Sequence, residues 1–207
     1  MLETLINMDP WTIASFVGAG VVLNLTPGAD VLFTTASGIK GGWRYGVAAA
    51  FGITLGSAIH VILAVLGVSA AIAAIPFGLE IIRYLGAAYL AYLAVQAWRA
   101  KPNAHQPTAA DTLNSAIKRG LITNILNPKV GLFILAFLPQ FTDPAIGPVW
   151  QQMLFLGVLF ILTGFTITAL YGVISGLSRN AFQSRLSILN KISALIFGGL
   201  AARLVLN

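Results

Sequence analysis

Over 207 residues the chain is 57% hydrophobic and only 9% charged, with a mean hydropathy of +0.87. Soluble domains carry about 25% charged residues, so this composition excludes a soluble fold and implies an all-α integral membrane protein. The net charge of +6 comes from Lys and Arg set between apolar runs, with no basic face interleaved with aromatics, so it speaks for membrane topology and against nucleic-acid binding.

Cysteine is absent, which removes disulfides, thiolate metal sites and thiol catalysis. Each crossing of the hydrocarbon takes about 20 apolar residues, so six spans with short loops use up the chain and leave no room for a soluble domain.

The first apolar run follows Glu3 and Asp9, without a basic leader or a small-residue cleavage pattern, and is expected to be a retained span. Span one runs from about Trp11 to beyond Phe33 and contains NLTPGADVLF, residues 24–33. KGGWRYG, from Lys40 to Gly46, reads as a turn. Span two extends from near Tyr45 to before Pro76 and carries a lone His60 and the pair Gly52/Gly56. Span three covers about Gly78 to Trp98, with Glu80 and Arg83 spaced for an ion pair at the interface. Residues 99–119, including His105, form the one hydrophilic linker. Span four covers about Gly120 to Phe141, span five Val149 to Leu177 with the pair Gly172/Gly176, and span six Leu186 to Leu206, shortened by Lys191 and Arg203. The glycine pairs read as close-packing devices between helices.

Charge orients the set. The connections after spans one, three and five carry Lys40 and Arg44; Arg99, Lys101, Lys118 and Arg119; and Arg179 and Arg185. The positive-inside rule places these in the cytoplasm and both termini in the periplasm.

Residues 1–98 and 120–207 then form two three-span halves around a cytoplasmic linker, and their sequences overlay. VVLNLTPGADVLF (21–33) matches LITNILNPKVGLF (121–133): Asn24 with Asn124, Phe33 with Phe133, and Pro27 one residue out of register with Pro128. Three spans per half is an odd number, so the second copy enters from the opposite side. Two inverted three-helix repeats, each with its first helix interrupted, point to a transporter site near the membrane midplane.

Proline lacks an N–H and clashes with the carbonyl four residues back. Pro27 therefore frees the carbonyl of Leu23, and Pro128 that of Asn124. A freed carbonyl in hydrocarbon needs a partner from protein, water or ligand. Gly28 loosens the chain after the first break, and the restarting helix offers N–H groups and a positive dipole end. Such a break can hold a carboxylate by N–H groups and an ammonium by carbonyls. Asp30 follows the first break and Lys129 the second, and ionisable groups inside a membrane are functional candidates.

Ordinary roles are open to each: prolines repaired by Ser or Thr, Lys129 snorkelling to the cytoplasmic interface, Asp30 capping a helix. Two matched breaks favour function over any of these. The candidate substrate-binding residues are Asn24, Thr26, Pro27, Gly28, Asp30, Asn124, Asn127, Pro128 and Lys129. Asp30 and His60 are candidates for proton coupling, although a lone His more often packs than carries protons. No metal-ligand set, nucleotide motif or catalytic signature occurs, so no cofactor and no enzymatic activity are expected.

At NLTPGAD (24–30) and NILNPKVGLFILAFLPQF (124–141) the chain resembles the LysE/RhtB family of bacterial amino-acid exporters. The family's first motif is commonly N-x-x-P-G-P; here Ala29 stands for the second proline. The length, six spans and the linker after the third also fit. The resemblance implies a proton-coupled secondary transporter in the bacterial cytoplasmic membrane that exports amino acids or close derivatives. Carried over by position, its motif residues are Asn24, Pro27, Gly28, Asp30, Asn127, Pro128 and Lys129.

One Asp and one Lys suit a zwitterion, so neutral amino acids are favoured. The expected partners are that substrate and the lipid bilayer, with a homodimer left open. An exporter of divalent metal ions and a passive channel are the alternatives. The absence of Cys and scarcity of His argue against soft-metal transport, and a channel calls for a polar stripe along several helices.

Overall fold

A computed structural model describes residues 6–74 and 112–177 continuously, together with residue 4 and scattered positions in 84–99 and 191–202. Among the described residues there are helices and turns and no strand. The Glu80–Arg83 pair, His105, Arg203 and most of the expected third and sixth spans lie outside the described residues.

Helix α1 (Pro10–Leu25) starts where Asp9 accepts hydrogen bonds from the backbone N–H (2.9 Å) and hydroxyl (3.0 Å) of Thr12, with Pro10 in the first turn. It stops at Thr26–Pro27, and α2 (Ala29–Gly41) restarts at an angle of 54°. Gly42, at φ +83°, makes the sharp turn into α3 (Trp43–Ala74). The turn expected over Lys40–Gly46 is therefore shorter than its glycines suggested.

The second half repeats the pattern. Thr112 accepts from the Ser115 N–H and caps α4 (Leu113–Ile125). After Leu126–Asn127, α5 (Pro128–Phe137) continues at 53° and closes in a 3-10 turn, Leu138–Phe141. A short 3-10 turn, Pro144–Ile146, leads to α6 (Val149–Leu177). The fourth helix thus begins at Leu113, earlier than the expected Gly120. Polar LNSAIKR belongs to the helix because Ala116 within it and Gly120 directly after it are buried on α3, while hydropathy marks only the apolar part.

Helices α3 and α6 are each long and apolar enough to cross a membrane, and each bent pair is as well when taken as one span. Among the described residues, the all-helical fold expected from composition is therefore present, with two continuous candidate spans and two broken ones.

Two kinds of contact hold these helices together. An aromatic cluster ties α1, α5 and α6: Phe133 lies 4.6 Å from Phe137 and 5.7 Å from Phe160, and Phe16 stands edge-on to Phe141 at 5.4 Å. Elsewhere backbones nearly touch. Gly172 of α6 packs on Gly46 of α3, Gly120 of α4 on Ala49, Gly52 on Ile117, and Gly176 on the Gly42–Trp43 backbone. The glycine pairs are packing devices, as expected, with one exception: Gly56 makes room for the side chain of Asn124.

A Cβ on Gly172 would stand 2.6 Å from the carbonyl carbon of Gly46. Gly172→Val is expected to cost about 2 kcal/mol or more and to lower the midpoint of thermal unfolding in detergent by about 4–8 °C. An unchanged midpoint would show that α3 and α6 do not pack this closely.

Candidate functional site

The two breaks meet, and a lysine from the second repairs the first. Lys129, first residue after Pro128, turns inward and donates from Nζ to the carbonyls of Leu23 (3.0 Å) and Thr26 (2.8 Å). Leu23 is the carbonyl that Pro27 frees, so an ammonium from the second half satisfies the break in the first. The lysine stem passes over Gly28, where a Cβ would stand 3.0 Å from Nζ and 3.3 Å from Cε. A side chain at 28 would crowd that stem, which would have to give by a few tenths of an ångström. Snorkelling to the interface, the ordinary expectation for such a lysine, does not occur.

Pro128 frees the carbonyl of Asn124, which accepts from the Asn127 N–H at 2.9 Å and lies 3.0 Å from Nε2 of His60 on α3. His60 sits above Gly131, where a Cβ would come within 2.8 Å of its ring. Its observed role is a hydrogen bond to a broken backbone. Tyr171 of α6 donates to the carbonyl of Leu25 at 2.9 Å, closing another loose end of α1.

Asp30 is buried in the first turn of α2. Its Oδ2 accepts from Nδ2 of Asn124 at 2.8 Å, and Ser57 of α3 donates to Oδ1 of the same asparagine at 3.4 Å. Asp30 and Lys129 act on one another as charges but form no direct ion pair; each is tied to the backbone or amide of the opposite break. The sequence places the two charges near one another and gives no hint of this cross-bracing.

Three buried polar atoms around the breaks have no hydrogen-bond partner: Oδ1 of Asp30, Nδ2 of Asn127 and Nδ2 of Asn24. Buried polar groups in native proteins are nearly always paired, so this cluster is what makes the region a candidate site, although the Asn127 side chain lies close enough to the Asp30 carboxyl to act on it. The two half-helix starts also differ. Asn127 caps α5 by accepting from the Lys129 N–H at 3.0 Å, whereas α2 starts from extended Gly28 with no side-chain cap. The α2 start thus lacks the side-chain cap that α5 has, and carries the Asp30 carboxylate in its first turn.

The repeat asparagines are not equivalent. Asn124 joins the two breaks, while Asn24 lies against Gly164 of α6. Thr26 spends its hydroxyl on the Val22 carbonyl at 2.7 Å and serves Lys129 through its own carbonyl. Pro128 is exposed and borders a cavity of about 540 Å³ that His60, Asn127, Gly131 and Leu135 also line.

Ser57 and Tyr171 escaped the sequence reading. Ser57 lies one residue after Gly56 and three before His60 on the same face of α3. Tyr171 is the one titratable side chain in α6. Both signals were present in the sequence.

A family model described as LysE type translocator matches residues 21–207. A leucine efflux protein of an Enterobacter species is 33% identical over 201 residues, covering 94% of this chain and 93% of that protein. A homoserine/homoserine lactone efflux protein of Salmonella typhimurium is 32% identical over 163 residues, 78% of this chain and 79% of the relative. An uncharacterized membrane protein of Vibrio cholerae is 30% identical over 170 residues, 78% of this chain and 82% of the relative. No solved structure matches.

Proposed function

The chain belongs to the LysE type translocator family, and from that premise we propose that it exports neutral amino acids or close derivatives across the bacterial cytoplasmic membrane, driven by the proton gradient. Its named relatives are efflux proteins for leucine and for homoserine or its lactone, and not enzymes. Those names supply the outward direction, and they favour amino acids over the metal-ion and channel alternatives.

One observation carries the substrate reading. The carbonyls freed in α1 already hold an ammonium, that of Lys129, beside a buried carboxylate and an uncapped helix start. An α-amino acid brings the same two groups in one molecule. Its ammonium replaces that of Lys129 on Leu23 and Thr26, within reach of Asp30's charge. Its carboxylate takes the α2 N-terminus and the displaced lysine. Asn124 and Asn127 supply amide donors and acceptors at the rim, and Pro27, Gly28 and Pro128 keep the backbone open. Asn24 completes the set from the α6 side.

One acid and one base in the site match a zwitterion. A second substrate charge would be left unpaired in a low-dielectric site at a cost of several kcal/mol. Asp30 is the group through which a proton is exchanged for substrate, with His60 fixed close by on Asn124. Six spans in two inverted halves, with both termini periplasmic, are the topology in which the two breaks meet at the midplane. The bend angles of 54° and 53° support that symmetry.

Everted membrane vesicles loaded with a proton gradient test this reading. Radiolabelled leucine and homoserine are expected to accumulate inside only while the gradient stands, and lysine is not. Accumulation of none of them, or accumulation indifferent to the gradient, would defeat the proposal.

A further inference from the structure

Hydroxyls inside an apolar helix ordinarily bond to the carbonyl four residues back. Thr54, Thr163, Thr166 and Thr168 all do so, at 2.7–2.8 Å. Thr34, Thr35 and Ser37 of α2 do not, and their hydroxyl oxygens are buried with no hydrogen-bond partner. Thr34 and Ser37 are 0% exposed. Three hydroxyls within four residues, none bonded to its own backbone, mark α2 off from the other described helices.

Thr34 and Ser37 lie four and seven residues beyond Asp30, on one face of the helix. The helical rise sets Thr34 about 6 Å along the axis from Asp30, and Ser37 about 4.5 Å further. Two hydrogen bonds of about 2.8 Å through a single water would span a gap of that length. The row starts at the unpartnered Oδ1 of Asp30 and ends one turn short of exposed Lys40. Alongside it α2 presses on α6 so closely that a Cβ on Gly38 would overlap the Gly172 carbonyl and the Ser175 hydroxyl. An amino acid does not fit through that seam, whereas a relay of hydroxyls and single waters needs no open passage.

We propose that the Asp30–Thr34–Ser37 face of α2 is a proton path joining the helix breaks to the cytoplasmic end. It rests on the proton-coupled reading above. The protonated carboxyl of Asp30 gives its proton to the adjoining water. Each hydroxyl in turn accepts a proton on oxygen and releases its own, and the last passes to bulk water as hydronium. Only O–H bonds form and break, and Asp30 is left as a carboxylate.

The titratable groups facing Asp30 are Lys129 from α5 and His60 from α3. From α4 Asn124 meets Asp30, and Arg119 lies over the ring of Phe33 at 5.7 Å. Tyr171 of α6 is engaged with Leu25.

The test compares wild type with a Thr34→Val, Ser37→Ala double variant in proteoliposomes carrying an internal pH dye, with leucine and homoserine as separate probes. Substrate-driven proton flux is expected to fall about tenfold or more, since a methyl group cannot pass a proton. Exchange of labelled for unlabelled substrate, which needs no net proton movement, is expected to persist. Thr34→Ser, which keeps the hydroxyl, is expected to retain the flux. Thermal stability is expected to hold or rise, because apolar groups replace unpaired hydroxyls.

Undiminished proton flux in the double variant overturns the path. So does loss of flux and exchange together, which would assign these residues a structural role. Wild-type substrate movement without any proton flux would defeat the coupling reading itself, and it shows before any variant is made.

Discussion

Substituting Lys129 by Gln is expected to lower gradient-driven accumulation in everted vesicles by about 100-fold, with the protein still inserted and recoverable from the membrane. The glutamine amide is shorter and neutral and cannot bridge the carbonyls of Leu23 and Thr26, now 3.0 and 2.8 Å from Nζ. Each buried carbonyl left unpaired costs about 1–3 kcal/mol. That cost falls on the substrate-free form, which must be populated in every transport cycle.

Lys129→Arg is expected to restore little. A planar fork is wider than an ammonium, and the stem of residue 129 must pass 3.0–3.7 Å from the Cβ position of Gly28. Accumulation measured against the amount of protein in the same vesicles decides the matter. Near-normal accumulation by Lys129→Gln would remove Lys129 from the site.

Changing Asp30 to Asn removes a charge while keeping an oxygen that can accept from Asn124. Gradient-driven export is expected to fall to background. Thermal stability is expected to fall too, because Lys129 loses a buried carboxylate that acts on it, though by less than the cost of breaking a direct buried pair, about 3–5 kcal/mol. The combination Asp30→Asn with Lys129→Gln separates the two effects. Removing both charges is expected to recover much of the lost stability, since coupled sites are non-additive, while export stays at background. A double variant no more stable than Asp30→Asn alone would show that the two charges do not act on each other.

The interruptions were legible in the sequence because proline and asparagine are costly in hydrocarbon and their placement recurs in both halves. The two continuous spans were legible for the converse reason: nothing in Val149–Leu177 interrupts an apolar run. What could not be read was direction. Lys129 has a stem long enough for either the interface or the interior, and what draws it inward is a pair of carbonyls, Leu23 and Thr26, about 100 residues away in the chain. Asn24 and Asn124 look alike in the alignment, yet only Asn124 faces a carboxylate, because Gly56 clears space for it on α3.

The start of α4 was misplaced because a capped polar helix carries no hydropathy signal. Thr34 and Ser37 passed unnoticed since composition does not reveal whether a hydroxyl turns to its own backbone.

The seating of Lys129 on the α1 carbonyls has a bearing on when such a protein works. An ammonium anchored next to its own receptor competes with free amino acids at an effective concentration of about millimolar or more. Scarce substrate loses that contest and abundant substrate wins it. On the proposed reading such a threshold would be built into the chain, and only an amino-acid surplus would be exported, as through an overflow valve.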